Sequence, residues 1–354
     1  MHTEKMMNFV KTAGADALLL LNEANMHYVC GFSPSEGMIL VTPTAVYQLV
    51  DSRYSETARL HAKDTGVQVT EITTGFWDQL GTLLSKIGCK KLLFEDETIT
   101  YLQYTRIQVV YDGKLRPVGN GVMALRNLKE PWEIDLMKTA NRIAEKAFLE
   151  LLNDVKPGKT EKELAARFDY LMALGGSDGV SFDTILLTGA HSSMPHGVPE
   201  DRQGQASDFV LFDFGATYQG YHSDMTRTVA VGSATEEMQA AYDLVLRAQL
   251  AGIQALGAGV PCKDVYQAAY DVLAAEDKAQ YFRHSLGHGV GLEIHEGYNA
   301  SPRSRDTFQT GNVTSMEPGI YLPDKFGIRI EDVLYLSPHG RENLSNVTKK
   351  LIIL

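Results

Sequence analysis

The sequence predicts two domains of different class, an α/β domain over residues 1–127 and an α+β domain over residues 128–354. Three observations carry this. A length of 354 residues suggests about two domains at roughly 150 residues each. In the first third of the chain, short apolar runs alternate with helical patterns. Beyond it, strand-like runs are grouped apart from helical ones.

In the first domain, 17–21, 38–41, 46–50, 67–72 and 91–94 read as strands. Segments near 53–63, 77–87 and 99–110 carry helical periodicity between them. The boundary falls near 126–130, where Pro131 suits the first position of a long helix. That helix presents Ile134, Met137, Ile143, Ala147, Leu151 and Leu152, and must stop before Pro157-Gly158. Thr160 and Glu163 form a capping-box pattern opening a second helix, which should end at Gly175-Gly176. Further helices are expected at 236–256 and 261–275, and strands at 182–187, 209–214, 221–231, 312–321 and 326–336.

Composition narrows the function. The chain has 33 Lys+Arg against 44 Asp+Glu, a net charge of -11. This disfavours nucleic acid or an anionic membrane surface as the main partner. Residues 1–125 hold 11 Lys+Arg and 13 Asp+Glu, so most of the excess acid lies in the second domain. Three scattered cysteines, Cys30, Cys89 and Cys262, make neither a disulfide framework nor a thiolate metal site. No apolar stretch reads as a signal peptide or a membrane span. A cytoplasmic protein is expected.

Two segments place acids inside apolar strands. In 209–228, reversal around Tyr218-Gln219 would set Asp213 directly opposite Asp224. In 315–333, reversal around Pro323-Asp324-Lys325 sets Glu317 opposite Glu331, with Arg329 on the same face. Directly opposed residues have Cβ atoms about 5 Å apart, and like charges that close repel unless a cation lies between them. As solvent-face acids on edge strands they would need no partner, but two such pairs within apolar runs argue against that. A nitrogen donor is available from His288, flanked by Gly287, Gly289 and Gly291, which permit close backbone approach. One histidine and four carboxylates make a hard, oxygen-rich set. Two divalent ions balance four carboxylates, and paired ions about 3.5–4 Å apart are a common hydrolytic design.

These residues resemble the pita-bread metallopeptidases, in the branch of Xaa-Pro dipeptidase (prolidase) and aminopeptidase P. The matching stretches are SFDTILLTG…PHG-x-P over 181–199, D-x-G…GY-x-SD-x-TRT over 213–228, G-H-G-x-G-L-x-x-HE over 287–296, EPGIY over 317–321 and R-x-E-D over 329–332. The resemblance implies a pita-bread catalytic domain behind a creatinase/prolidase-like N-terminal domain that caps the site and often mediates dimerisation. It implies metal ligands at Asp213, Asp224, His288, Glu317 and Glu331, holding two divalent ions per chain. Manganese is the expected metal, with Co, Fe and Zn also admitted by such a set. Glu317 would also shuttle protons, and His196 and His295 would donate to the substrate carbonyl and the developing oxyanion.

Arg329 joins this set as a counter-ion to the acids; His284 and Tyr321 are expected to line the substrate pocket. His191 and His222 read as ordinary polar residues. The expected activity is hydrolysis of the Xaa-Pro bond in proline-containing peptides, by a homodimer. The alternative within the branch is an aminopeptidase P releasing the first residue of longer peptides. A non-catalytic peptide-binding relative would normally have lost ligands that this chain keeps. Two departures stand out. Where many relatives read H-E-x-P-R, this chain reads His295-Glu296-Gly297-Tyr298-Asn299. Before PHG, the usual asparagine-serine-alanine is here His191-Ser192-Ser193-Met194.

Overall fold

A computed structural model describes residues 1–63 and 65–354. The chain divides into two compact units, Met1–Leu125 and Arg126–Leu354.

The first unit is built on β1 (Ala17–Leu20), β2 (Gly37–Val41), β3 (Val46–Val50), β4 (Gln68–Glu71), β5 (Lys91–Phe94) and β6 (Lys114–Pro117). They form one sheet in the order β4-β3-β2-β1-β5-β6. The pairs β1–β2 and β2–β3 are antiparallel, and the outer pairs are parallel. All five strands and three helices expected here are present. Helices Thr3–Thr12 and Glu23–Cys30 were not expected. Glu23–Cys30 is fixed by its ends: Asn22 Oδ1 accepts from Asn25 N, and Gly31 closes it at φ +67°. Its buried residues Asn25, Met26, Tyr28, Val29 and Cys30 do not follow a helical stripe.

In the second unit, helix Pro131–Leu151 buries Ile134, Met137, Ile143, Ala147 and Leu151, as the periodicity predicts. Helix Glu161–Leu174 opens with the expected box. Thr160 Oγ1 accepts from Glu163 N (3.1 Å), and Glu163 accepts from Thr160 N (2.9 Å). Helices Glu236–Ala255 and Cys262–Ala274 complete the set.

The strands, in order, are β7 (Gly179–Val180), β8 (Ile185–Thr188), β9 (Phe209–Phe214), β10 (Ala216–Tyr218), β11 (Tyr221–His222), β12 (Met225–Ala230), β13 (Gly287–Gly289), β14 (Glu296–Ala300), β15 (Val313–Met316), β16 (Gly319–Leu322), β17 (Phe326–Arg329), β18 (Asp332–Ser337), β19 (Gly340–Asn343) and β20 (Ile352–Ile353). One sheet runs β20-β12-β9-β8 and another β14-β13-β15-β18-β19; β16 and β17 form a separate hairpin. The first pair of helices packs on β9 and β12 through Phe148, Phe168, Phe212 and Phe214. The second pair covers Met316, Ile328 and Leu334. The two sheets are joined at β12, where Glu331 N donates to Thr226 O (3.1 Å) and Thr228 Oγ1 to Arg329 O (3.1 Å). Among the described residues, no helix is long and apolar enough to cross a membrane.

Three strands expected to be continuous are each broken. The run 221–231 is interrupted at 223–224, 312–321 at 317–318, and 326–336 at 330–331. Asp224, Glu317 and Glu331 sit in these breaks.

Candidate metal centre and active site

The first hairpin differs from its expected register. Asp213 pairs with Thr226, not Asp224. The turn is Gln219-Gly220, with φ +48° and +80°, bracketed by the Tyr218↔Tyr221 pair. Two consecutive positive-φ residues make the tight turn that suits strand twist, and this moves the reversal one residue along the chain. The register therefore shifts by two residues. An even shift preserves the face of every side chain, so Asp213 and Asp224 still point the same way. The second hairpin keeps its predicted register: Met316 pairs with Asp332 and Gly319 with Arg329, which puts Glu317 across from Glu331.

His288 sits where the β13–β14 ladder shifts register between His288 and Gly289. A side chain at Gly287 would place its Cβ 2.0 Å from Ser315 O, and one at Gly289 2.1 Å from Glu296 O. Here glycine serves close packing of backbone on backbone. His288 Nδ1–H donates to Gly289 O (3.2 Å). That leaves Nε2 facing the acids, 3.5 Å from Asp224 Oδ2 and 3.3 Å from Glu317 Oε1.

One cavity of about 670 Å³ gathers Asp213, Asp224, His288, Glu317, Glu331, Arg329, His196, His295 and His284 on its walls. Donor atoms of Asp224, His288 and Glu331 lie within 4.8 Å of one another. Asp213 Oδ1 and Glu331 Oε1 are buried with no hydrogen-bond partner. Orphaned buried carboxylate oxygens are costly, and a divalent cation is what this donor set fits. The electrostatics agree. Burial, and then the charge of Asp213, pushes Asp224 well above the usual carboxylate range. Burial and then Asp224 do the same to Glu331. Burial also opposes charge on Glu317, but the His288 hydrogen bond and charge outweigh it and hold this group down at about 2. A cation among these acids would restore their ionised forms.

Arg329 is 3% exposed, and four of its five N–H groups have partners, Nη1 donating also to Pro195 O (3.4 Å). Nη2 pairs with Asp213 Oδ2, Nη1 donates to Tyr321 Oη (2.6 Å), and Nε to Thr226 Oγ1 (3.0 Å). Tyr321, expected to line the pocket, does not: the cavity walls do not include it, and it is 2% exposed. Its hydroxyl instead connects Arg329 to His284 Nε2 (2.9 Å). Burial lowers the pKa of His284, so its neutral Nε2 accepts from Tyr321 while Nδ1–H donates to Ser285 O (2.8 Å). His196 and His295 are both exposed on the cavity wall. The His295 ring centroid lies 4.1 Å from that of His288. Burial, then His288, lowers the pKa of His295, favouring the neutral imidazole.

Several supporting residues escaped the sequence reading. Thr226 Oγ1 donates to Glu331 Oε2 (2.7 Å) while accepting from Arg329; it lies opposite Asp213 only in the observed register. Ser315 Oγ accepts from His288 N (3.0 Å) and donates to Glu317 Oε1 (3.2 Å). Glu296, next to His295, is held by Lys129 Nζ (2.5 Å) and Arg126. His191, read as an ordinary loop residue, donates from Nδ1 to the fully buried Glu161 (2.8 Å).

Comparison with known proteins accords with this geometry. Residues 135–338 match metallopeptidase family M24, and residues 3–128 match the creatinase/prolidase N-terminal domain. An Xaa-Pro dipeptidase of Pyrococcus horikoshii is 33% identical over 99% of this chain and 98% of its own length. The solved Xaa-Pro dipeptidase from Bacillus anthracis superposes with a TM-score of 0.95 at 34% identity, covering 100% of this chain and 99% of that one. The X-Pro aminopeptidase from Thermotoga maritima gives a TM-score of 0.93 at 34% identity, covering 98% and 100%. The second unit has the pita-bread fold, and the chain belongs to metallopeptidase family M24, with a creatinase/prolidase N-terminal domain and the family's requirement for divalent metal ions.

Proposed function

We propose that this chain is an Xaa-Pro dipeptidase, hydrolysing the peptide bond before proline in proline-containing dipeptides. The observation that carries the reading is the convergence of one imidazole and four carboxylates, two of them with orphaned buried oxygens, on a cavity that His196 and His295 also face. Its volume falls in the range typical of small-ligand sites, roughly 300–1,000 Å³. The full-length similarity to proteins named Xaa-Pro dipeptidase supports the dipeptide form.

In this reading Asp213, Asp224, His288, Glu317 and Glu331 hold two divalent ions, manganese first among them. Bound there, such ions acidify a water molecule and polarise the scissile carbonyl. Glu317 accepts the proton of the attacking water and passes it to the proline nitrogen, which must gain it as the C–N bond breaks and proline leaves as a secondary amine. His196 and His295 donate to the carbonyl oxygen as it gains charge. Arg329 holds Asp213 in place as a counter-ion, with Nε and Nη1 committed to Thr226, Tyr321 and Pro195 O. Three unpaired cysteines suit a cytoplasmic location, and a homodimer completes the proposal. Hydrolysis of Ala-Pro and Ala-Pro-Ala, measured during a Mn titration, tests it. Cleavage of the dipeptide in preference is expected; cleavage of the tripeptide alone would replace this reading with an aminopeptidase.

A further inference from the structure

We infer that Glu161 is a positioning residue for His196, setting the wall of the cavity from which that imidazole reaches the substrate. The inference builds on the role proposed above for His196.

Glu161 is the first residue of helix Glu161–Leu174, yet its side chain is 0% exposed. A carboxylate so buried needs donors to its lone pairs, and four come from one excursion of chain. Oε1 accepts from Thr188 N (2.7 Å) and Thr188 Oγ1 (3.0 Å). Oε2 accepts from His191 Nδ1 (2.8 Å) and Glu200 N (3.0 Å). Thr188 is the last residue of β8 and Glu200 lies on the returning limb. One carboxylate thus clamps both ends of the segment whose middle carries Pro195 and His196 into the cavity.

Backbone bonds place the clamp. Glu161 N donates to Arg202 O (3.0 Å) and Lys162 N to Glu200 O (3.2 Å), while Arg202 Nε donates to Thr188 O (3.0 Å). The far side of the segment is tied to β17, where Gly327 N donates to Ser192 Oγ (2.8 Å). His196 itself is exposed, so its aim depends on these anchors. These four bonds to the Glu161 carboxylate involve none of the five proposed metal ligands, so its effect on chemistry passes through the segment.

Glu161→Gln keeps the shape but turns an amide N–H₂ towards N–H donors. Amide hydrogen exchange over 188–200, in folded protein with Mn, is expected to accelerate at least about tenfold, with metal content unchanged. On Ala-Pro, kcat is expected to fall roughly 10–100-fold with KM little changed, the scale on which small misplacements act. In a His196→Ala background the same change should cost less than about threefold, because the group it positions is gone. Unchanged exchange overturns the inference, as does a loss equally large in both backgrounds. If Glu161→Gln fails to fold, His191→Ala removes one clamp donor and is read in the same three ways. Absence of Ala-Pro hydrolysis by the wild type at every metal concentration would defeat the proposed function, while the exchange measurement still decides the clamp.

Discussion

Glu317 and Glu331 face each other across a gap between two ladders that share one register. On one side Met316 pairs with Asp332; on the other Gly319 pairs with Arg329. The ladder is interrupted where the two acids meet, at Pro318, which has no N–H to contribute, and at Ile330. Releasing the strand there frees both side chains from strict alternation and lets them converge with Asp224, which occupies a similar break ahead of β12. The centre is thus built from interruptions in regular structure, held in place by the regular structure on either side.

Removing a donor at these breaks should cost metal before it costs fold. Glu331→Gln leaves the Thr226 contact available but replaces the orphaned oxygen or its partner with an amide. The expected result is fewer than two bound ions per chain by elemental analysis, loss of Ala-Pro hydrolysis, and a retained unfolding transition. Because burial and Asp224 already oppose charge on Glu331, the metal-free variant should be no less stable than the metal-free wild type. A marked drop in its stability would show that the carboxylate serves the fold rather than an ion.

The two cavity histidines should behave differently from the ligands. His196→Ala and His295→Ala are each expected to lower kcat by roughly 10²–10³-fold, the scale for an oxyanion donor, with both ions retained. Loss of metal from His295→Ala would instead assign its ring, set edge-on to that of His288, to the ion.

How much of this was legible follows from what alternation can report. Face is a parity property, so acids inside apolar runs revealed the shared side of Asp213 and Asp224 even with the register two residues out. The turn was misplaced because Gln219 gives no sign that it adopts φ +48°; glycine at 220 was the visible half of the signal. Helix Glu23–Cys30 was missed because its buried residues do not form a stripe. Thr226, Ser315 and Glu161 were invisible for another reason. A hydroxyl or an acid among ordinary polar residues acquires its role only from partners far along the chain, as Glu331 lies 105 residues from Thr226. Tyr321 is expected in the pocket from its closeness to Glu317, but its side chain is buried and its hydroxyl is taken up between Arg329 and His284.

The pH dependence of the metal-free protein follows from the His288–Glu317 pair. Burial disfavours a charged His288, but Glu317 and Asp224 outweigh it and raise its pKa from 6.5 to about 9. Its contribution to stability is complete below 6.5 and is lost as pH rises through about 9. Glu317 is lowered from 4.5 to about 2, so its contribution is present above 4.5 and lost as pH falls through about 2. A metal needs His288 neutral and Asp224 and Glu331 ionised, so ion binding must displace the protons that the metal-free site favours on all three. Unfolding midpoints with and without Mn should therefore separate progressively between about pH 6.5 and 9, with little separation near pH 5.5. A separation that does not change with pH would mean that His288 is already neutral, and Asp224 and Glu331 already ionised, in the metal-free state.

Thr226→Val tests the hydroxyl that stands between two charged groups. It removes the donor to Glu331 Oε2 and the acceptor for Arg329 Nε at nearly constant volume. Outer partners of metal ligands typically affect affinity or activity by about 10–100-fold, and leaving buried polar groups unsatisfied costs about 1–3 kcal/mol. Weaker Mn binding by calorimetry together with a lower urea midpoint is expected. Thr226→Ser, which keeps the hydroxyl, should recover most of both.

Arg126 carries two acids that differ in burial, and comparing them separates anchoring from surface pairing. It contacts Glu293, whose side chain is 40% exposed, at 2.8 Å, and Glu296, whose side chain is 1% exposed. Glu296 also takes Lys129 at 2.5 Å and packs so tightly on Gly291 that a Cβ there would lie 2.1 Å from Oε1. Glu296→Ala would take from Lys129 the buried carboxylate it pairs with and leave Arg126 its half-exposed partner Glu293, and breaking such a buried pair typically costs about 3–5 kcal/mol. Glu293→Ala should cost no more than about 1 kcal/mol, as expected for a partly solvated pair. His295 precedes Glu296 directly, so Glu296→Ala should also lower kcat on Ala-Pro, whereas Glu293→Ala should leave kcat within about twofold of wild type, well inside the energy of a surface pair. Equal urea midpoints for the two variants would mean that water reaches Arg126 and Lys129 once the buried acid is gone, and that the anchor is weaker than its burial implies.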